Sequence, residues 1–242
     1  MQRSWIWMAA VLLLAGCGGS RLPDERVMPT GPTPVMSSTP EPTPTPTPQP
    51  EAAATARYRI VFDATWTSAT HPQDAPPNPH FSPPIGATHV DGVTFWRDGG
   101  LATEGIRGMA ELGATATLGD EMRAAIAAGT ANQLFIGDGF SSPKAITMEV
   151  TVSRDFPLLT LVTMVAPSPD WFAGVSGLRL FENGVWVEDR VVPAGVWDAG
   201  TDSADSFVSP DRETIPRQLI KRIVTPPLGS LPLGTFRIAR IG

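Results

Sequence analysis

The sequence predicts a mainly β protein: an antiparallel β-sandwich with one or two short helices in connections, after a disordered segment rich in proline and threonine. Three observations support this fold class. Short apolar runs are separated by turns, and the 242 residues include 23 glycines and 26 prolines. Helical periodicity is limited to two short segments. Several short strands with Gly/Pro turns are typical of a sandwich.

Six segments have the pattern of strands. In residues 145–153, apolar side chains alternate with polar ones, which is typical of a half-buried strand. Residues 158–165 are more uniformly apolar and rich in β-branched side chains. The remaining predicted strands are residues 58–64, 177–181, 185–192 and 235–241. Helices are predicted over residues 103–112 and 119–128.

The N-terminus predicts a lipoprotein signal peptide over residues 1–16. Arg3 precedes an apolar run over residues 5–15, which is too short to span a membrane as a helix. The sequence LAGC at residues 14–17 suits a lipoprotein signal peptidase, and Cys17 is the only cysteine of the chain. The alternative is an ordinary export signal with an incidental cysteine. We expect Cys17 to carry a diacylglyceryl group and acyl chains such as palmitate, which together anchor a protein stably.

This anchor predicts a place in a bacterial cell envelope. Gly18 does not favour retention at an inner membrane, so we expect the outer membrane, on its periplasmic or its surface face. The expected membrane contact is the lipid on Cys17. Since no second cysteine is present, no disulfide can form within the chain.

A linker is predicted over residues 17–56, before a folded domain over residues 57–242. Proline recurs at every second position from Pro40 to Pro48, which excludes helix and favours polyproline II at about 3.1 Å per residue. The linker would therefore reach on the order of 100 Å. It would serve as a solvated spacer or, alternatively, as a ligand for a proline-binding partner.

The charge balance argues against nucleic acid as a partner. The formal net charge is −6, and the only lysines are Lys144 and Lys221. No basic stripe is available to neutralise a phosphate backbone.

Histidines offer a weak alternative for a zinc site. His71, His80 and His89 are the only three, and their nine-residue spacing matches no usual zinc motif. The alternative is two loop histidines, with His89 packed against the sandwich. Ser176 also lacks the glycine spacing of a nucleophile elbow.

Three acids suggest a calcium site. Asp198 and Asp202 flank Gly200 in a segment that glycine and proline keep from being helical, and Asp170 follows an apolar strand. Acids on adjacent loops at one end of a sandwich are ligands that Ca²⁺ accepts together with backbone carbonyls and waters. Without a cation, such close carboxylates would repel and their pKa values would rise. Alternatively, Asp198 and Asp202 cap turns and Asp170 faces water.

The three acids lie in two motifs, because PSPDW at residues 167–171 is followed by DAGTD at residues 198–202. Together these motifs resemble the spondin domain, the N-terminal module of F-spondin and mindin. Further similar segments, in the same order along residues 56–241, are 58–62 with Trp66, 71–72, 86–89, 95–96, 104–113 and 214–216. The resemblance implies an antiparallel β-sandwich with one Ca²⁺ held by Asp170, Asp198 and Asp202. The chain departs from the animal proteins in lacking domain cysteines and thrombospondin-type repeats after the domain, so the resemblance does not extend to their disulfide or to their matrix partners.

Three functions are compatible with these features. The first is a non-catalytic calcium-binding adhesion or interaction module, with a protein or glycan ligand near the calcium loops. Trp171, Phe172 and Trp197 are candidates for that surface, although roles in the core are favoured. The second is a metal-assisted or two-carboxylate hydrolase of envelope glycans or lipids, which would need an open cleft with a perturbed acid. The third is a structural envelope protein in which calcium only ties loops together.

Overall fold

The computed structural model describes residues 52–242 and Gly31. The predicted signal peptide, Cys17 and most of the predicted linker lie outside the described residues. Within the described part, no helix is long and apolar enough to cross a membrane.

The described chain contains fourteen strands and two helices. In order they are β1 (Thr55–Ala64), β2 (His80–Phe81), β3 (Ile85–His89), α1 (Glu104–Leu112), α2 (Ala116–Ala127), β4 (Ala131–Ile136), β5 (Phe140–Ser141), β6 (Lys144–Ser153), β7 (Leu158–Ala166), β8 (Trp171–Arg179), β9 (Phe181–Glu182), β10 (Val185–Trp186), β11 (Asp189–Pro193), β12 (Val196–Asp198), β13 (Lys221–Arg222) and β14 (Gly234–Arg240).

Two antiparallel sheets form a sandwich, as the sequence predicts. The first sheet has the order β11-β14-β1-β6. The second has the order β13-β12-β8-β7-β2-β5, and β3 joins it by pairing with both β7 and β4. Strands β9 and β10 form a separate hairpin. Some paired strands are consecutive in the chain, such as β7 and β8, whereas others, such as β1 and β14, are far apart in sequence.

The core between the sheets is formed by alternating residues of β1. Tyr58, Ile60 and Phe62 are buried, whereas Arg59 faces outwards. Phe62 stacks on Phe236 of β14 with 4.3 Å between ring centroids. Period-two burial of this kind removes one face of the strand from water, and each large apolar side chain contributes about 1.5–3 kcal/mol.

The helices cover the outer face of the second sheet. Ile106 and Met109 of α1 pack with Leu118 and Met122 of α2 and with Phe172 of β8 in a second apolar cluster. All nine residues of β7 are buried because this strand has the inter-sheet core on one face and the helices on the other. This double covering explains why residues 158–165 show no alternation.

Most predicted elements are confirmed, with five differences. The strand predicted at 177–181 begins earlier, because β8 starts at Trp171, and the one predicted at 185–192 is divided between β10 and β11. Helix α2 starts at Ala116, three residues before the predicted start. His80 lies in β2 rather than in a loop. Strand β1 begins at Thr55, two residues before the predicted start of the domain at residue 57.

The described chain starts at one end of the sandwich. The carbonyl of Ala54 accepts a hydrogen bond from the Arg154 N–H at 3.0 Å, and the Leu180 N–H donates to Pro157 at 2.9 Å. The start of β1, the start of β7 and the end of β8 therefore lie together. The β7-β8 turn lies at the other end, about 30 Å away, because the nine residues of β7 rise about 3.3 Å each.

Candidate functional site

The candidate site lies in the β7-β8 turn and the loop after β12. Asp170 immediately precedes β8, and β12 pairs with β8 so that Asp198 lies opposite Trp171. The Ala199 N–H donates to the Asp170 carbonyl at 3.1 Å. This pairing brings the two predicted motifs, residues 167–171 and 198–202, together at one end of the sandwich.

Asp170 is completely buried, and its two carboxylate oxygens differ. Oδ2 accepts hydrogen bonds from the Thr201 N–H at 2.8 Å, the Thr201 hydroxyl at 3.2 Å and the Asp202 N–H at 3.0 Å. Oδ1 is buried and has no hydrogen-bond partner. A buried acceptor without a partner is costly, so Oδ1 is a position where a ligand would gain binding energy.

The pKa of Asp170 is raised from its ordinary 3.8 to about 6. Burial is the main cause because it disfavours the charged carboxylate, and the nearby charge of Asp198 adds to it. The three donors to Oδ2 oppose the rise. The repulsion expected between close carboxylates is thus present between Asp170 and Asp198.

Asp198 is held between its own loop and a lysine. Its Oδ1 accepts the Gly200 N–H at 2.8 Å, and its Oδ2 lies 3.3 Å from Lys221 Nζ. Lys221 is directly opposite Asp198 in the β12-β13 pair. Sequence spacing gave no signal for this lysine, because the pairing joins residues 23 positions apart through a two-residue strand.

The carboxylate of Asp202 serves the loop that follows it. Oδ1 accepts the Ala204 N–H at 2.7 Å, and Oδ2 accepts the Arg212 N–H at 2.9 Å. Asp202 reaches Asp170 through its backbone N–H. Among the described residues, no group of three or more His, Cys, Asp or Glu side chains is arranged to hold a metal ion. The set Asp170, Asp198 and Asp202 therefore stays a prediction.

Part of this set fits a hard cation. Asp170 Oδ1 is an oxygen without a partner, and the charge of Asp198 lies close enough to raise the Asp170 pKa. Ca²⁺ takes six to eight oxygens in flexible geometry and accepts carbonyls and waters. Two carboxylates with loop carbonyls would fit that preference, with Asp202 ordering the loop.

A cavity of about 460 Å³ adjoins the site. It is bordered by the acids Asp198, Asp202 and Asp205 and by the bases Lys221 and Arg222. Arg222 is directly opposite Trp197 in the β12-β13 pair, and its guanidinium carbon lies 5.1 Å from the ring centroid of Trp197. Neighbouring residues of a strand face opposite sides, so Lys221 reaches Asp198 while Arg222 covers Trp197.

The aromatic candidates for a binding surface belong to the core. Trp171 and Phe172 are buried, and Trp197 is half-buried between Phe172 and Arg222. The exposed apolar side chains around the site are aliphatic and lie in loops and at the end of α1. The most exposed are Ile215 at 81% and Val208 at 77%, and Leu112, Leu219 and Val224 are also exposed. Loop aliphatic residues carry no periodic signal, which is why the sequence did not single them out.

The histidines do not form a metal site within the described residues. His89 is buried, as predicted, with Nε2 2.8 Å from the Thr160 hydroxyl, and burial lowers its pKa. His71 is also buried, and its Nε2 lies 3.4 Å from the Leu231 carbonyl. His80 lies in β2, opposite Ser141 of β5 and Ala166 of β7.

The architecture defines a class: an antiparallel β-sandwich in which an Asp between two adjacent strands meets an acidic loop from the next strand of the sheet. The Spondin_N family profile matches residues 56–229. The chain belongs to this family.

Relatives include animal spondins. Spondin-1 from Gallus gallus is 33% identical over 178 residues, which is 71% of this chain and 22% of the relative. Spondin-1 from Homo sapiens is 34% identical over the same length. Spondin-2 from Homo sapiens is 33% identical over 195 residues, 77% of this chain and 57% of the relative. The matched region thus spans about a fifth of the Spondin-1 relatives and supports an extracellular interaction module as the class of function.

Proposed function

We propose that this protein is a lipid-anchored, calcium-binding interaction module of the bacterial cell envelope and acts without catalysis. One Ca²⁺ would be held by Asp170 and Asp198, with Asp202 ordering or completing the site. The observation that carries the proposal is the buried Oδ1 of Asp170, which has no partner and lies near a second acid. A divalent cation would satisfy Oδ1 and remove the repulsion between the two acids.

The loops around the site support a role in binding a partner. Ile215 follows Thr214, whose N–H donates to the Thr201 carbonyl at 2.9 Å. Val224 borders the same cavity as Asp198. Ordering of residues 198–202 by calcium would therefore also order loops that expose apolar side chains, and such side chains contribute to protein contacts. A protein or glycan ligand near these loops is the expected partner.

Anchoring through Cys17 rests on the sequence of residues 1–17. A lipid on Cys17 would attach the domain to a membrane, as proposed for the outer membrane. Replacement of Cys17 by Ser should abolish labelling of the exported protein with radioactive palmitate and release it from the membrane fraction. Export with an unlabelled Cys17 would contradict the anchor and leave the domain function unaffected.

A hydrolase remains the second candidate function because Asp170 has a perturbed pKa. A catalytic acid must also reach its substrate, however, and Asp170 is completely buried. Of the acids that border the cavity, Asp198 pairs with Lys221, and the buried Asp202 accepts hydrogen bonds from two backbone N–H groups, whereas Asp205 is exposed. These contacts favour binding over hydrolysis.

The third candidate function is a structural envelope protein. In such a protein, calcium would order the loops without a binding partner.

Thermal unfolding tests the calcium site. The chain beginning at residue 18 would be melted in chelator, in millimolar calcium and in millimolar magnesium. Saturation at about a hundredfold above the dissociation constant adds roughly 2.7 kcal/mol. For a domain of this size, that corresponds to a rise in Tm of about 5–11 °C. We expect this rise with calcium and a smaller one with magnesium.

Variants assign the effect to the site. Asp198→Ala should lose the calcium-dependent rise, and Asp155→Ala, at an exposed turn residue before β7, should retain it. Equal calcium affinity in Asp198→Ala and the parent would show that the assigned ligands are wrong. Absence of any rise in metal-free parent protein would contradict the calcium proposal as a whole.

A further inference from the structure

Lys221 occupies the position at Asp198 that a bound cation would compete for. Its Nζ lies 3.3 Å from Asp198 Oδ2 and is the ion-pair partner of that carboxylate. The contact is a direct cross-strand pair of β12 and β13. The lysine side chain is 60% exposed, whereas that of Asp198 is 18% exposed. The acid is therefore fixed in the fold while the ammonium group is free to leave it.

The other charges around the pair do not duplicate this contact. Arg222 covers Trp197 on the opposite face of the strand. Asp202 accepts two backbone N–H groups, and Asp170 is tied to Thr201 and Asp202. Asp205 is an exposed acid at the edge of the cavity. Within the described residues, Lys221 is the cationic side chain paired with a predicted calcium ligand.

We propose that Lys221 is a built-in counter-ion that calcium must displace, so that this residue lowers and thereby sets the calcium affinity of the site. The inference rests on the proposed calcium site and deepens it by naming what regulates its occupancy. In the metal-free protein, the ammonium group offsets part of the charge of Asp198. When calcium binds, two cations compete for one carboxylate, and the exposed lysine moves into solvent.

This arrangement also discriminates between ions by charge. A monovalent cation that replaced the ammonium group would exchange one positive charge for another and gain little. A divalent cation brings a second charge, which can be shared with Asp170 Oδ1. Because Oδ1 has no competing partner, the cost of displacement falls on Asp198 alone. Lys221 thus keeps Asp198 paired at low calcium and is displaced only by a more highly charged ion.

Calcium titration calorimetry on a matched set of variants tests the proposal. The set is the parent, Lys221→Met, Lys221→Arg and Lys144→Met, all in the chain beginning at residue 18. Lys144 is the chain's other lysine and lies exposed at the start of β6. Because exposed ion pairs contribute at most about 1 kcal/mol, Lys221→Met should bind calcium roughly two- to fivefold more tightly than the parent. Lys221→Arg should stay closer to the parent than Lys221→Met, and Lys144→Met should equal the parent.

Thermal unfolding of the same variants separates a counter-ion from a merely structural contact. In chelator, Lys221→Met should melt about 1–3 °C below the parent because Asp198 has lost its cation. In saturating calcium, it should melt no lower than the parent, so that the deficit seen in chelator disappears. A structural defect in β13 would lower both values.

Three results would overturn the inference. Calcium affinity of Lys221→Met equal to or weaker than that of the parent would exclude competition by the lysine. Equal tightening in Lys144→Met would assign the effect to net charge rather than to the Asp198 contact. A parent that binds no calcium would contradict the proposed site itself, whereas a parent that binds calcium unaffected by Lys221→Met contradicts only the role of Lys221.

Discussion

The N–H and the hydroxyl of Thr201 donate to the same oxygen of Asp170, Oδ2, at 2.8 and 3.2 Å. This double contact fixes the orientation of a completely buried carboxylate and leaves its Oδ1 without a partner. Oδ2 thus joins the loop after β12 to the β7-β8 turn. Burial disfavours the charged form of Asp170, and the first two predictions concern this charge.

Asp170→Asn should separate stability from calcium binding. The neutral amide oxygen can still accept from Thr201 and Asp202, while the buried charge disappears. In chelator at pH 7, we expect the variant to be at least as stable as the parent, by up to about 2 kcal/mol, because a buried charge without a cation costs more than a neutral group. The calcium-dependent rise in Tm should be lost. Denaturant unfolding and thermal melts measure the two effects.

Asp155→Asn is the matched control for this change, since it neutralises an exposed acid at the other end of the domain. It should alter stability by less than about 0.5 kcal/mol and retain the response to calcium. A strongly destabilised Asp170→Asn in chelator would mean that the ionised carboxylate supports the metal-free fold.

The raised pKa of Asp170 predicts the pH dependence of metal-free stability. The folded protein holds the Asp170 proton up to about pH 6, whereas the unfolded chain holds it only up to about pH 4. The stability that the protonated Asp170 contributes is therefore fully present below about pH 4 and is lost as the pH rises through 6. The difference in unfolding free energy between Asp170→Asn and the parent should grow by up to about 3 kcal/mol across this window. Denaturant titrations in chelator from about pH 4 to 7.5 measure it.

Calcium should reverse that trend. Metal binds the ionised carboxylate, so calcium affinity should rise with pH up to about 6 and then level off. In chelator, an unfolding free-energy difference between Asp170→Asn and the parent that stays constant over the same pH window would contradict the raised pKa of Asp170.

Gly200 should be required for the geometry of the acidic loop. Its φ is +74°, and a Cβ there would overlap the Gln218 carbonyl oxygen. Gly200→Ala should therefore cost about 2–4 kcal/mol and weaken calcium binding. Gly99→Ala is the control, because Gly99 has φ +73° with open space around its Cβ position. It should cost only about 1 kcal/mol of backbone strain. Equal unfolding free energies of the two variants would exclude the steric overlap as the cause.

Tyr58 should stabilise the opposite end of the sandwich through its hydroxyl. The single hydrogen of this group is shared between the carbonyl oxygens of Val187 at 2.7 Å and Leu180 at 3.1 Å. Tyr58→Phe should cost about 1–2 kcal/mol in denaturant unfolding, with no change in calcium affinity. Because burial raises the pKa of Tyr58 to about 12, its stabilising contribution is present below about pH 10 and lost as the pH rises through 12.

Since Tyr58 is the only tyrosine, ultraviolet absorbance of the tyrosinate reports it directly. Ionisation near the ordinary pKa of 10 in the folded protein would contradict the burial of the Tyr58 hydroxyl.

Sequence patterns predicted those parts of the fold that depend on local burial. Residues 145–153 alternate because β6 has one buried face towards its C-terminal end, and the apolar run at 158–165 marks a strand between two layers. The start of β8 was not predicted. Residues 171–175 are all buried, so they show no alternation, and the two prolines before them indicate a turn rather than a strand. Strands β12 and β13 are defined by distant pairings rather than by local composition.

The candidate site was predicted only in part for the same reason. Motif order correctly placed residues 167–171 near 198–202, because both lie at the ends of paired strands. The spacing could not show that both oxygens of Asp202 bind its own loop, since Arg212 returns to it from ten residues away. Nor could it identify Lys221, whose position depends on the register of a two-residue strand.

The described chain begins beside the start of β7, whereas the acidic loops lie beyond its end. The side of the domain that the N-terminal segment leaves is therefore not the side that a ligand of Asp198 would approach. Immobilising the protein through its N-terminus on a sensor surface should leave the loops accessible, whereas attachment near residue 215 should block them.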